Sequence, residues 1–169
     1  MSNVKNKAWK FGDNIDTDAI LPAQYLNRTD SLELAKCCFT VTNPEFCENA
    51  ARGDVIVAGA NFGSGSSREH APIAIKYKGI RCVIARSFAR IFYRNAFNVG
   101  LPLLESEQAS QKIQQGDQLV INLEKGEITN AANGEIYPCD PIPENMVKIL
   151  QAGGLMDYLS NKRSKQEDI

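Results

Sequence analysis

The residues best suited to chemistry lie in one run, Gly59-Ala60-Asn61-Phe62-Gly63-Ser64-Gly65-Ser66-Ser67-Arg68-Glu69-His70. Glycines at 63 and 65 let a backbone turn tightly and come close to a ligand. Ser66 and Glu69 fit the S-x-x-E capping box of a helix start. Such a start offers free N–H groups and a partial positive charge, both of which attract anions. Arg68 adds a planar fork that can grip a carboxylate through two bonds. A small acidic ligand suits this set, and so does a plain capped strand-to-helix turn. Pro72 lies six residues after Ser66, too deep for a first turn capped there. Either the helix starts nearer His70 or it kinks, and in both cases Ser66 to Arg68 occupy the tip of the loop.

Other chemistries fail on spacing. A dinucleotide loop counted from Gly63 needs glycine where Arg68 stands, and the G-K-[ST] of a phosphate loop is absent. Gly65-Ser66-Ser67-Arg68 lacks the closing glycine of a nucleophile elbow, and a single histidine leaves little room for a triad. A second chemical segment is Gly12-Asp13-Asn14-Ile15-Asp16-Thr17-Asp18. It lacks the later glycine and glutamate of a calcium loop. It reads either as Asx turns entering a strand or as a source of one site residue, Asp18.

The cysteines (Cys37, Cys38, Cys47, Cys82 and Cys139) are odd in number and have no C-x-x-C spacing. Neighbouring Cys37 and Cys38 point to opposite sides of any regular element. With His70 the sole histidine, no metal site is expected in this chain. The thiols read as reduced and the chain as cytoplasmic. Cys37 or Cys47 is a candidate surface thiol, and Cys82 a buried small apolar residue.

Elements must hold these segments in place. Asp54 to Gly59 and Cys82 to Ala85 are continuous apolar runs of buried strands, with a third strand over Gly100 to Leu104. Short helices are predicted at Ser31 to Cys38 and Glu45 to Ala51, and a helix through Ile73 to Tyr77. Another is predicted over Phe88 to Ala96, with Phe88, Ile91 and Phe92 on one face. Arg86, Arg90 and Arg94 would form a basic stripe on it, either solvated or facing a partner. Asp117 to Leu123 and Glu127 to Ala131 form a hairpin around Lys125-Gly126. Pro143 to Leu159 reads as a helix interrupted near Gly153-Gly154. Strands alternating with helices followed by a hairpin give an α/β class with a mixed sheet.

The whole has 169 residues, enough for one domain with its own core. Apolar residues at 43% and charged residues at 23% exclude general disorder. There is no apolar stretch long enough for a membrane helix and no signal-peptide core at the start. A net charge of −1 argues against nucleic-acid or membrane-surface binding.

Three segments in order, Gly12 to Pro22, Gly63 to His70 and Ala85-Arg86-Ser87-Phe88-Ala89-Arg90-Ile91-Phe92, resemble the aconitase superfamily. The short chain is similar to its free-standing swivelling domains, the small subunits of the 3-isopropylmalate dehydratase type, over roughly residues 8 to 160. The resemblance implies a mixed-sheet β/β/α three-layer fold over 1–160, and the polar residues 161–169 after it read as a frayed tail. It implies a large-subunit partner carrying a [4Fe–4S] cluster, with no cofactor in this chain. It also implies that Ser66 is the catalytic base, that Ser67 and Arg68 bind substrate carboxylate, and that Asp18 shares the site.

These residue types suit a hydro-lyase acting on a small hydroxy-di- or tricarboxylic acid. Moving a hydroxyl requires a proton to leave a carbon beside a carboxylate, and hydroxide to depart with help from a Lewis acid. This chain lacks a cluster-binding cysteine pattern. It offers the base and the clamps, so the isolated chain is expected to be inactive. The resemblance makes Tyr25, Leu26, Asn27 and Arg28 a specificity loop. An inward Arg28 favours a tricarboxylic substrate such as homoaconitate. An outward one favours a branched apolar malate, isopropylmalate or 2,3-dimethylmalate. A carboxylate-binding module without catalysis would need Arg68 but not Ser66.

Overall fold

A computed structural model describes residues 5–167. Seven strands form one mixed sheet: β1 (Asn6–Lys10), β2 (Val55–Ala58), β3 (Cys82–Ala85), β4 (Leu103–Glu105), β5 (Gln118–Asn122), β6 (Glu127–Asn130) and β7 (Ile136–Pro138). Their order is β4-β3-β2-β1-β5-β6-β7. Strands β1 to β4 are parallel, with Ala8 opposite Val55 and Val55 opposite Cys82. The rest is antiparallel, and β1 joins the two halves: Ala8 to Lys10 pair with β2, and Asn6 and Lys7 with β5. The helices are α1 (Thr17–Ile20), α2 (Ser31–Lys36), α3 (Pro44–Asn49), α4 (His70–Tyr77), α5 (Arg90–Val99), α6 (Glu107–Lys112), α7 (Glu144–Ala152) and α8 (Leu155–Glu167).

Strands β2 and β3 read as unbroken apolar runs because both of their faces are buried. Ile56, Ala58, Val83 and Ala85 enter one core with Leu34, Phe46, Ile75 and Phe97 from the helices. The alternate residues Val55, Val57, Cys82 and Ile84 enter a second core with Leu119, Ile121, Ile128 and Tyr137 from the antiparallel half. The ribbon β5–β7 therefore curls over one face while most helices cover the other, giving three layers, β/β/α. Each fully buried aliphatic side chain adds about 1.5–3 kcal/mol of transfer free energy, so these four-residue strands hold firmly despite their length. Trp9 Nε1–H donates to Asp54 Oδ2 at 2.8 Å, and the same oxygen accepts the Ala51 amide at 2.9 Å. Both polar groups are thereby satisfied inside the core.

Several expectations need correction. The Ser66–Glu69 capping box does not form: α4 starts at His70, with Glu69 as its cap residue and no side-chain capping bond. Pro72 then falls in the first turn, where its missing N–H is harmless. Helix α5 starts at Arg90 because Ala89 is extended (φ −63°, ψ 138°), so Phe88 precedes it. Its buried residues are Phe92, Ala96 and Phe97, while Ile91 is 50% exposed. The basic stripe dissolves for the same reason: Arg86 sits in the loop before the helix, 3.6 Å from Glu107. Cys37 is buried, which leaves half-buried Cys47 as the more accessible of the two candidate thiols. Strand β7 escaped notice because it has three residues, one of them proline, and buries only Tyr137. Of the polar segment 161–169, residues 161–167 continue α8, and 168–169 lie outside the described residues.

Candidate active site

The carboxyl ends of β1, β2 and β3 point the same way, and the loops leaving them meet there, the usual crevice of an open parallel sheet. Backbone hydrogen bonds stitch the three loops together. Gly59 N–H donates to Gly12 O, Asn14 N–H to Ala60 O at 2.8 Å and Gly63 N–H to Ile15 O at 2.7 Å. On the other side Arg86 N–H donates to Gly59 O, Phe62 N–H to Ser87 O and Ala89 N–H to Phe62 O. Asp13 Oδ1 accepts the Ala60 amide, and Asp16 caps α1 by accepting the Ala19 amide at 2.7 Å. The acidic segment thus enters a one-turn helix rather than a strand. Gly63 has φ +83°, and a Cβ there would run into the Phe92 ring. Only glycine lets this loop pass so close to α5.

The loop tip carries the candidate residues. Ser66 is half-buried, and Ser67, Arg68 and Asp18 are exposed. Ser66, Arg68 and Asp18 line one small hollow together with Thr17, Leu21, Leu26 and Ala71. The Ser66 hydroxyl is therefore at a surface and not packed in the interior. Its Oγ accepts the Arg68 amide at 3.3 Å, and its own N–H donates to Thr17 Oγ1 at 3.0 Å. The Ser67 carbonyl accepts from Asn95 Nδ2 at 2.9 Å, which ties the tip to α5.

The expected specificity loop divides. A 3-10 turn over Ala23–Tyr25 brings Leu26 to the hollow, while Asn27 faces solvent. Arg28 turns away from the hollow to Glu33 on α2, with Nη1 3.1 Å from Oε2. Its guanidinium carbon lies 5.1 Å from the centre of the Tyr25 ring, a cation–π distance. Thr17, Leu21, Ala71 and Asn95 were missed. Thr17 alone carried a sequence signal, its place between two candidate aspartates.

The donor set does not fit a metal cluster. No three His, Cys, Asp or Glu side chains gather among the described residues. Cys38 and Cys82 are buried and uncharged: burial pushes both thiols up, Cys82 to about 12. His70 Nδ1 is buried without a hydrogen-bond partner among the described residues, a single nitrogen and not a ligand set. No described helix is long and apolar enough to cross a membrane.

Comparison with known proteins gives the family and the fold. A family model described as the aconitase C-terminal domain matches residues 2–109. The chain is 55% identical over 166 residues to a Methanocaldococcus jannaschii protein named isopropylmalate/citramalate isomerase small subunit, covering 98% of this chain and 99% of that one. It is 54% identical over 159 residues to an Aquifex aeolicus protein named 3-isopropylmalate dehydratase small subunit, covering 94% and 95%. A crystal structure titled 3-isopropylmalate dehydratase, from Methanocaldococcus jannaschii, superposes with a TM-score of 0.92 at 48% identity over 97% of each chain.

Proposed function

This chain belongs to the aconitase family, and within it we propose that the protein is the small subunit of a 3-isopropylmalate dehydratase, a hydro-lyase interconverting 2- and 3-isopropylmalate in leucine biosynthesis together with a large subunit. The observation that carries this reading is the shared hollow. Half-buried Ser66 lines it together with Arg68 and Asp18, on a frame of three bonded loops.

Ser66 acts as the base that takes the proton from the carbon beside the substrate carboxylate. A serine does this only if its alkoxide is stabilised. The Arg68 amide, which donates to Ser66 Oγ, favours the ionised form, and the positive charge of Arg68 in the same hollow would add to it. Arg68, which lines the hollow, and the exposed Ser67 next to it, which does not, take the substrate carboxylate, and Asp18 orients the acid in the hollow. The Lewis acid that hydroxide departure calls for would be a [4Fe–4S] cluster carried by the large subunit, a reading supported by aconitase-family membership; among the described residues no three His, Cys, Asp or Glu side chains gather. We assign residues 1–160 to the swivelling domain and 161–169 to a polar extension, with α8 running across that boundary as far as Glu167, and place the complex in the cytoplasm.

Leu26 at the hollow and Arg28 held by Glu33 favour a substrate whose variable end is apolar. That covers isopropylmalate and the smaller citramalate named for one relative, with 2,3-dimethylmalate as the nearest alternative. Homoaconitate, with a further carboxylate, fits less well.

Co-expression with the large subunit and an assay of acid isomerisation test the proposal. Turnover should need both chains. Ser66→Ala should lower kcat by about 10²–10⁴-fold, the usual worth of a positioned base, with substrate binding retained. Turnover by the purified small subunit alone would overturn the reading. An unchanged rate in the Ser66→Ala complex would point to a carboxylate-binding module instead.

A further inference from the structure

We propose that Thr17 is a positioning residue for Ser66: its buried hydroxyl oxygen accepts the Ser66 amide and so fixes the direction in which the serine presents its own hydroxyl. This inference rests on Ser66 being the base, and it assigns a role to a residue outside the expected site.

Thr17 is 6% exposed, and it grips the loop twice. Its backbone N–H donates to Ser64 O at 2.8 Å, and its Oγ1 accepts from Ser66 N–H at 3.0 Å. The two bonds bracket Gly65, which has φ +96°. A Cβ on Gly65 would lie 3.4 Å from Thr17 Oγ1. Ser64 to Ser66 are thus pinned on both sides of the one residue whose backbone is freest to rotate.

The mount is itself held. Leu21 N–H donates to Thr17 O at 2.9 Å, and Asp16 caps the same helical turn. Asp16 and Ser64 form an isolated parallel bridge that joins the two loops. Branching at Cβ restricts the Thr17 rotamer, so its hydroxyl keeps one direction. Among the described residues the Ser66 side chain has one longer bond of its own, 3.3 Å from the Arg68 amide. Its aim depends on the backbone below it, and Thr17 is the side chain that bonds that backbone.

The test uses the assembled two-subunit enzyme with isopropylmalate as substrate. Thr17→Val keeps the shape and removes the acceptor, while Thr17→Ser keeps the acceptor. A misplacement of about 1 Å can cost about 10²-fold in rate. Thr17→Val should therefore lose at least about ten-fold in kcat with KM changed by less than about three-fold, and Thr17→Ser should recover most of it. Hydrogen exchange at the Ser66 amide gives a readout independent of turnover, faster in Thr17→Val and near wild type in Thr17→Ser. If Thr17→Val does not assemble, Thr17→Ala removes the same acceptor without added bulk. Full kcat in the acceptor-less variants, or equal loss in Val and Ser, overturns the proposal. Ser66→Ala run alongside separates the two readings. If it stays active, the base assignment fails. If it is dead while Thr17→Val is fully active, only the Thr17 inference fails.

Discussion

Arg28 and Glu33 are tied to one another, guanidinium nitrogen to carboxylate oxygen at 3.1 Å, two residues beyond the leucine that reaches the hollow. The pair decides how the loop treats a substrate. Both side chains are well exposed, so the bond itself adds only about 0–1 kcal/mol. Its effect is to point the charge elsewhere. Arg28→Ala should leave kcat/KM for isopropylmalate within about three-fold, because no contact with an apolar end is lost. Homoaconitate as the better wild-type substrate, with a selective loss in Arg28→Ala, would show the arginine reading a carboxylate after all.

Arg68→Lys should not behave as a conservative change. Lysine keeps the charge but loses the planar fork, so a bidentate carboxylate contact cannot be rebuilt. The expected result is a KM for isopropylmalate raised about ten-fold or more, with the thermal midpoint unchanged because Arg68 is exposed. Steady-state kinetics and a melting curve on the same preparation check both halves.

Gly63→Ala should destabilise by about 2 kcal/mol or more, since the new methyl meets Phe92 and the backbone is left-handed there. Thermal unfolding of the small subunit measures it.

The strand pattern was readable because β2 and β3 are buried on both faces, which leaves no polar residue to blur them. The start of α5 was not, because Phe88 and Ile91 keep helical spacing although Ala89 is extended. Ser66, Arg68 and Asp18 were legible as residue types in two motifs. The bond from Ser66 to Thr17 was not, because it joins positions 49 apart that only the β1–β2 register brings together.

Glu105, at the end of β4, has its carboxyl held above the usual range by burial and by the nearby Asp140, against the opposing pull of the Phe88 amide. A carboxyl raised by folding favours the native state most when protonated. That contribution is complete below the ordinary carboxylate range and fades as pH rises through the raised value. Glu105→Gln removes the charge and keeps an oxygen for the Phe88 amide. Its melting temperature should exceed wild type by about 1–3 °C near pH 7 and match it near about pH 4. A constant difference at both pH values would contradict this.

Thiol labelling should follow burial. Burial pushes Cys82 to about 12 and Cys139 to about 11, and drives Cys38 higher still. The thiolate is the reacting form. With iodoacetamide near pH 8, half-buried Cys47 should be alkylated first. Cys38 and Cys82 should stay unlabelled until denaturant is added, as peptide mass mapping would reveal.

The double duty of β1 limits how this molecule can be cut. One edge of that strand serves the half that carries the loops, and the other serves the ribbon. A fragment stopping after α6 would keep every loop residue discussed above. It would also strip the cover from Val55, Val57, Cys82 and Ile84 and bare an unpaired strand edge. Such an edge invites pairing between chains and aggregation. Engineers seeking a minimal version should shorten the helical end beyond α7 and leave the ribbon whole.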